Sequence, residues 1–213
     1  MNQRLGEAVG RPAIWAVVPI KALCAAKSRL APALNLGQRQ AIVLAMLDHT
    51  LDVLRGCAGL RGIVVISADA TLAEHELGPG VTFLEEPAPN SLNISLDRAS
   101  SLLTSRGAQG MLVVPGDLPH LRRDSVDAML SRATSPGVVI APDRRGGGTN
   151  ALLVMPPRVI PFRFGHDSFA QHLSAAACAG IDPLVYRSHD LAFDVDLPED
   201  LIELPSDWVG GGS

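Results

Sequence analysis

Short apolar runs alternate along the chain with longer stretches in which apolar residues recur every three or four positions. The first run, residues 13–18, contains no polar residue, which is typical of a strand buried on both faces of a sheet. Apolar side chains then recur at helical spacing from Ile42 to Leu54. Asn35 and Gln38 precede them in the N-x-x-Q pattern of a capping box, and Gly56 is the expected end of this helix.

The same two patterns continue to the end of the chain. We expect further strands at residues 62–66, 81–84, 111–114, 138–141, 151–155, 184–186 and 192–195, and helices at residues 96–103, 125–133 and 168–179, with a short helix opened by Pro198. Strands that alternate with helices predict an α/β fold of three layers around a mostly parallel sheet. We expect one domain over residues 1–213, with flexible ends at 1–12 and 207–213.

Composition excludes several classes of protein. With 47% hydrophobic and 19% charged residues and a net charge of −4, the chain is neither disordered nor a polyelectrolyte binder of nucleic acid. No apolar run is long enough for a membrane span, and residues 1–12 lack the apolar core of a signal peptide. Cys24, Cys57 and Cys178 form no disulfide or zinc-binding pattern. The sequence therefore predicts a cytoplasmic protein, and it is compatible with a homodimer.

The two lysines of the chain lie close together. Of the 18 basic residues only Lys21 and Lys27 are lysines, and both lie with Arg29 directly after the first predicted strand. Ligands of open α/β sheets bind outside the carboxyl ends of the strands, and these cations suit a triphosphate there. The spacing is not that of a Walker A loop, and a solvated basic loop is the alternative.

Carboxylates follow two other predicted strands. Asp117 comes after the strand at 111–114, and Asp194 and Asp196, two residues apart on one strand, would point to the same side. Together these three side chains form a reasonable set of ligands for Mg²⁺. The alternative is that Asp117 stabilises a turn, that Asp196 serves only the following helix and that Asp194 faces solvent.

Two further strand ends carry features that suit an anion. The glycines at 146–148, followed by Thr149, would let backbone N–H groups and a hydroxyl approach an anion closely. Gly165 and Ser168 lie at the start of a predicted helix, where free N–H groups attract phosphate or carboxylate. A flexible turn and an ordinary helix cap are the alternatives.

Six stretches, in this order, resemble the guanylyltransferases of deazaflavin (coenzyme F-420) biosynthesis. They are P-I-K-x5-K-S-R-L at 19–30, L-N-x-S-L at 92–96, V-P-G-D-L-P at 114–119, P-D-R-R-G-G-G-T-N-A-L at 142–152, F-G-H-D-S-F at 164–169 and D-V-D-L-P-E-D-L at 194–201. The resemblance covers nearly the whole chain, and its most specific parts are G-T-N-A-L and D-x-D-x-P-E-D-L. It implies a Rossmann-like nucleotidyltransferase fold, similar to that of the enzyme that guanylylates molybdopterin.

The resemblance also implies a role for each matching residue. The residues that would hold Mg²⁺ are Asp117, Asp194 and Asp196, and those that would bind the phosphate and carboxylate of an acid are Thr149, Gly165 and Ser168. The phosphates of GTP would be bound by Lys21, Lys27 and Arg29, and Asn93 would contact the nucleotide. The catalytic residues would be Lys21, Lys27 and Asp117. The family often has two glycines before L-N, where this chain has Asn90-Ser91. This departure makes the loop stiffer near the expected position of the base.

The implied reaction transfers GMP from GTP to a small phosphorylated carboxylic acid and releases pyrophosphate. The acid is phosphoenolpyruvate, 2-phospho-L-lactate or 3-phospho-D-glycerate in different branches of the family. No protein nucleophile and no general base are needed, since the second pKa of such a phosphate is about 6. The alternatives are a nucleotidyltransferase for a sugar phosphate or molybdopterin and a module that senses GTP without catalysis.

Overall fold

The computed structural model describes residues 11–25, 27–86 and 91–209. Their seven strands are β1 (Ile14–Pro19), β2 (Leu60–Ser67), β3 (Val81–Glu85), β4 (Gly110–Val113), β5 (Gly137–Pro142), β6 (Thr149–Met155) and β7 (Leu184–Val185). Their α-helices are α1 (Leu36–Gly56), α2 (Leu92–Ser105), α3 (Arg123–Ser131), α4 (Ser168–Cys178), α5 (His189–Ala192) and α6 (Ser206–Val209). Short 3-10 turns lie at Leu23–Ala25, Ser28–Leu30, Ala70–Ala73 and Pro198–Glu203.

The strands form one mixed sheet in the order β3-β2-β1-β4-β6-β5-β7. Strands β1 to β4 pair in parallel, β6 is antiparallel to both β4 and β5, and β7 is parallel to β5. The chain therefore runs outward from β1 to β3 and returns to place β4 on the other side of β1. Connections leave β1 and β4 in opposite directions, and this opens a crevice at their carboxyl ends, where α/β sheets bind ligands.

Alternate residues of the central strand point into two separate apolar layers. Val18 of β1 packs in a cluster with Met46 and Leu51 of α1, all of them fully buried. Val17 points to the opposite face and packs in a second cluster with Leu103 of α2. Helices thus cover both faces of the sheet, which confirms the predicted α/β fold of three layers.

Helix boundaries follow local capping chemistry. At α1, the Asn35 side chain accepts the backbone N–H of Gln38 at 2.9 Å and the Gln38 side chain accepts that of Asn35 at 3.0 Å, which confirms the predicted capping box. Helix α2 begins four residues earlier than predicted, because Ser91 Oγ caps the N–H of Ile94. Asn90 lies outside the described residues. No helix of the described chain is long and apolar enough to cross a membrane.

The predicted strand at residues 192–195 is wrong. Ala192 ends α5, and the residues after it are extended but pair with no strand of the described sheet. The backbone of this segment binds other parts of the chain instead: the carbonyl of Ala192 accepts the Arg144 N–H at 2.8 Å and Asn150 Nδ2 at 3.1 Å, and the N–H of Val195 donates to Asp117 O at 3.3 Å. This segment is therefore fixed to the loops that follow β4 and β5 rather than to a strand edge.

Candidate active site

Lys27 and Asp117 meet in the crevice between β1 and β4. Lys27 Nζ lies 2.5 Å from Asp117 Oδ2 and 3.4 Å from Asp196 Oδ1, and only 12% of its side chain is exposed. The backbone of Lys27 has a φ of +41°, a left-handed conformation that few residues other than glycine adopt. Such a strained residue persists only when its surroundings hold it, and it is often found at functional sites.

The charges around Lys27 keep its ammonium protonated. Burial alone would lower the pKa of Lys27, but the carboxylates of Asp117 and Asp196 outweigh this and raise it. Arg29 extends the cationic side of the site, with Nη1 at 3.4 Å from Asp196 Oδ2, although most of its side chain faces solvent. Lys21 lies exposed at the end of β1. The predicted basic loop thus places one buried and two exposed cations at the crevice.

The third predicted aspartate lies beside the other two. Burial, together with the negative charges of Asp117 and Asp196, raises the pKa of Asp194. Asn150 Nδ2 lies 3.5 Å from Asp194 Oδ1 and also donates to the carbonyls of Leu191 and Ala192. The crowding of these carboxylates favours a cation between them. Within the described residues no three His, Cys, Asp or Glu side chains have the spacing of a metal site, and the Lys27 ammonium contacts two of the three aspartates.

A buried ion pair holds the backbone that carries Asp194 and Asp196. Asp200, 3% exposed, accepts Arg144 Nη2 at 2.6 Å on one oxygen and the N–H groups of Asp196 and Leu197 at 2.8 Å on the other. Although burial would raise the pKa of Asp200, these donors hold it below its ordinary value. Asp200 is the final aspartate of the motif D-x-D-x-P-E-D-L, and these contacts indicate that it positions the backbone of the preceding carboxylates.

The predicted anion-binding residues also come together. The backbone N–H of Thr149, at the start of β6, donates to Ser168 Oγ at 2.9 Å, and Thr149 Oγ1 lies 3.0 Å from Nδ1 of His172. Gly165 precedes this helix with a φ of +127°, which a side chain would strain. Thr149 faces α4 while its neighbour Asn150 faces the segment of Asp194, so β6 joins the two halves of the site.

Both polar ends of the Asn93 side chain bind the backbone of Phe164. Its Nδ2 donates to the carbonyl of Phe164 at 3.0 Å, and its Oδ1 accepts the Phe164 N–H at 2.8 Å. The first turn of α2 thereby clamps the backbone immediately before Gly165. In this structure Asn93 supports the loop that leads to Gly165, and its assignment to the nucleotide stays a prediction.

Several residues of the site escaped the sequence prediction. Arg144, Asn150 and Asp200 stand in the motifs that carry the family resemblance. Asn150 reaches Asp194 and Arg144 reaches Asp200 across more than 40 residues of sequence, whereas Asp200 binds the N–H of Asp196 only four residues away. Asp69, after β2, accepts the N–H of Leu23 at 2.7 Å and so fixes the start of the lysine loop. A polar side chain shortly after a strand is the signal that could have revealed Arg144, which follows β5, and Asp69, which follows β2.

Comparison with known proteins agrees with this geometry. The profile described as "Guanylyl transferase CofC like" matches residues 14–207. The chain belongs to this family. It is 38% identical over 198 residues to a phosphoenolpyruvate guanylyltransferase of Sphaerobacter thermophilus, covering 93% of this chain and 95% of that protein. It is 34% identical over 190 residues to a 2-phospho-L-lactate guanylyltransferase of Methanothermobacter thermautotrophicus, covering 89% and 82% of the two chains.

Solved structures support the fold of this family member. A nucleotidyl transferase from Methanothermobacter superposes with a TM-score of 0.66 at 16% identity, over 94% of this chain and 99% of that one. The family resemblance and the Rossmann-like nucleotidyltransferase fold predicted from the sequence are thus both confirmed.

Proposed function

We propose that this chain transfers GMP from GTP to the phosphate of a small phosphorylated carboxylic acid. The observation that carries the proposal is the meeting of Lys27 with Asp117 and Asp196 in the crevice where the strand order reverses. A cationic loop and a carboxylate cluster at that place suit a triphosphate and its counterion. The names of the relatives, guanylyltransferases of phosphoenolpyruvate and of 2-phospho-L-lactate, agree with this assignment.

The acid would lie on the side of the site formed by β6 and α4. Thr149, Ser168 and the backbone at Gly165 supply hydrogen-bond donors suited to a phosphate or a carboxylate. Asn150 links this side to Asp194. The acceptor phosphate and the α-phosphate of GTP can therefore be held next to one another, which removes much of the entropic barrier to their reaction.

In the reaction, an oxygen of the acceptor phosphate attacks the α-phosphorus of GTP. A new P–O bond forms to the acceptor, and the bond from the α-phosphorus to the bridging oxygen breaks, with its electron pair leaving on pyrophosphate. The acceptor phosphate is already ionised near neutral pH, so the chain need not supply a base. Lys21, Lys27 and Arg29 would stabilise the charge on the departing pyrophosphate.

Asp117, Asp194 and Asp196 are the residues that would hold Mg²⁺. Their chemistry fits the ion, since hard oxygen ligands are what Mg²⁺ prefers; burial, together with the negative charges of Asp117 and Asp196, raises the pKa of Asp194. When bound, Mg²⁺ would supply neutralisation of the negative phosphates that must approach each other. The Lys27 ammonium contacts two of these three residues, Asp117 and Asp196.

The test is a matrix of assays with the purified chain. GTP, ATP and CTP are each combined with Mg²⁺ and with one acceptor, and pyrophosphate release is measured. The acceptors are phosphoenolpyruvate, 2-phospho-L-lactate, 3-phospho-D-glycerate, a sugar phosphate and molybdopterin. We expect pyrophosphate release with GTP and one of the three phosphorylated carboxylic acids. The other product should be one that can be ligated to a deazaflavin precursor, and the ligated product is identified by its mass. Pyrophosphate release with a sugar phosphate or molybdopterin but with none of the three acids would contradict the proposal.

An aspartate variant tests the metal assignment within the same assay. Asp117→Asn keeps the size of the side chain and removes its charge, so most turnover should be lost while the circular dichroism spectrum is unchanged. Near-normal pyrophosphate release by this variant would refute the assignment of Asp117 to the ion.

A further inference from the structure

A fully buried histidine stands directly behind the side of the site assigned to the acid. His172, on α4, is 0% exposed and lies one helical turn after Ser168, so that both side chains reach Thr149. Its two ring nitrogens have separate partners: Nε2 lies 3.0 Å from the backbone N of Arg163, and Nδ1 lies 3.0 Å from Thr149 Oγ1.

These two contacts decide which nitrogen carries the proton. The backbone N–H of Arg163 can only donate, so Nε2 must accept and cannot bear a hydrogen. Burial, aided by the positive charge of Arg163, lowers the pKa of His172 to about 4, so the ring is neutral near pH 7. A neutral ring without a proton on Nε2 carries it on Nδ1, and Nδ1 therefore donates to Thr149 Oγ1.

The direction of this bond sets the role of the Thr149 hydroxyl. Because Oγ1 accepts from His172, its own hydrogen is left to be donated elsewhere. Ser168 is held in a similar way, since its Oγ accepts the backbone N–H of Thr149 and its hydroxyl hydrogen is also left to donate. Each of these two neighbouring hydroxyls thus accepts one hydrogen bond from the protein and keeps a hydrogen that an anion can accept.

We propose that His172 is a positioning residue that fixes the Thr149 hydroxyl as a donor to the anionic group of the phosphorylated acid. The inference rests on the proposed function for the identity of that anion. His172 does not touch the substrate; it acts through Thr149. Its ring is also held by the Phe164 ring, edge-on at 4.8 Å between centroids, on the loop that leads to Gly165. The tautomer and the loop geometry therefore depend on the same side chain.

Two matched substitutions separate positioning from simple packing. The amide of an asparagine reaches about as far from the backbone as Nδ1, so His172→Asn can still donate to Thr149 but leaves the Arg163 N–H unpaired. The amide of a glutamine reaches about as far as Nε2, so His172→Gln can still accept from Arg163 but leaves Thr149 Oγ1 without its donor. Each variant keeps one of the two hydrogen bonds and loses the imidazole.

The measurement is the dissociation constant of phosphoenolpyruvate, 2-phospho-L-lactate and 3-phospho-D-glycerate, obtained by calorimetry without GTP. For the acid that binds the wild type, we expect His172→Gln to weaken binding about tenfold and His172→Asn to change it less than about threefold, since a free hydroxyl can turn away from a charged acceptor. Both variants should lose thermal stability. A loss of stability alone would therefore not explain weaker acid binding by His172→Gln than by His172→Asn.

A spectroscopic readout tests the tautomer directly. In ¹H–¹⁵N spectra of the wild type, the His172 ring should show a protonated Nδ1 and a bare Nε2 between pH 5.5 and pH 8. Equal weakening by the two variants, weakening by neither, a proton on Nε2, or a wild type that binds none of the three acids would each overturn the inference. A wild type that binds an acid but releases no pyrophosphate with GTP would instead count against the proposed function alone.

Discussion

Lys27 Nζ lies 2.5 Å from Asp117 Oδ2, although 90 residues separate the two in the chain. The contact joins the end of β1 to the end of β4, and it places an ammonium where the proposed Mg²⁺ would be held. An ammonium already held by a carboxylate offsets part of its negative charge and so weakens its attraction for a second cation. The two cations should therefore compete.

Replacement of Lys27 by methionine tests this competition. We expect Lys27→Met to lower the rate of pyrophosphate release by about 100-fold or more, since a charge that stabilises the leaving group is lost. The free enzyme should bind Mg²⁺ more tightly because the competing ammonium is gone, and calorimetry measures this affinity. Lys21→Met is the matched control, since Lys21 is exposed and should not alter Mg²⁺ affinity. Weaker Mg²⁺ binding in Lys27→Met would contradict the competition.

Asp200 should be needed for stability and for the placement of the neighbouring carboxylates. Asp200→Asn replaces one carboxylate oxygen by an NH₂ group, which can only donate. That group would face either the Arg144 guanidinium or the N–H groups of Asp196 and Leu197, and these are donors as well. We expect the free energy of unfolding to fall by about 2 kcal/mol or more, because buried donors lose their charged partner. Urea unfolding measures this loss. Glu199→Gln, at the exposed preceding position, is the control and should change stability by less than about 0.5 kcal/mol.

The fold could be predicted from the sequence more fully than the site. Buried strands and capped helices are local patterns, and the Asn35 capping box formed as expected. The strand predicted at 192–195 failed because distant residues bind its backbone: Arg144 and Asn150, more than 40 residues away, donate to the carbonyl of Ala192, and Asp117 accepts the N–H of Val195. From the sequence alone, His172 cannot be distinguished from an ordinary core residue, because its role depends on its contacts with Thr149 and Arg163.

Asn93 offers a test of which substrate its loop serves. Because both polar ends of its amide bind the Phe164 backbone, Asn93→Ala should loosen the approach to Gly165. We expect the KM for the phosphorylated acid to rise about tenfold while the KM for GTP changes less than about twofold. Steady-state kinetics with each substrate varied in turn decides the matter. Ser101→Ala, on the same helix and exposed, is the control. A selective rise in the KM for GTP would restore Asn93 to the nucleotide side.

The buried imidazole of His172 should make the protein less stable as the pH falls. Its pKa is about 4 in the folded chain, against 6.5 as the ordinary value, so the unfolded chain binds a proton first when the pH drops. Stability is unaffected by this group above pH 6.5 and declines by up to about 1.4 kcal/mol per pH unit between pH 6.5 and pH 4.

The matched measurement is urea unfolding of the wild type and of His172→Gln at pH 7 and pH 5. Other titrating groups act alike in both proteins, so the difference between the two free energies of unfolding isolates His172. The glutamine side chain does not titrate, and the destabilisation that it causes at pH 7 should shrink by about 2 kcal/mol at pH 5. A difference that is the same at both pH values would mean that His172 titrates normally in the folded protein.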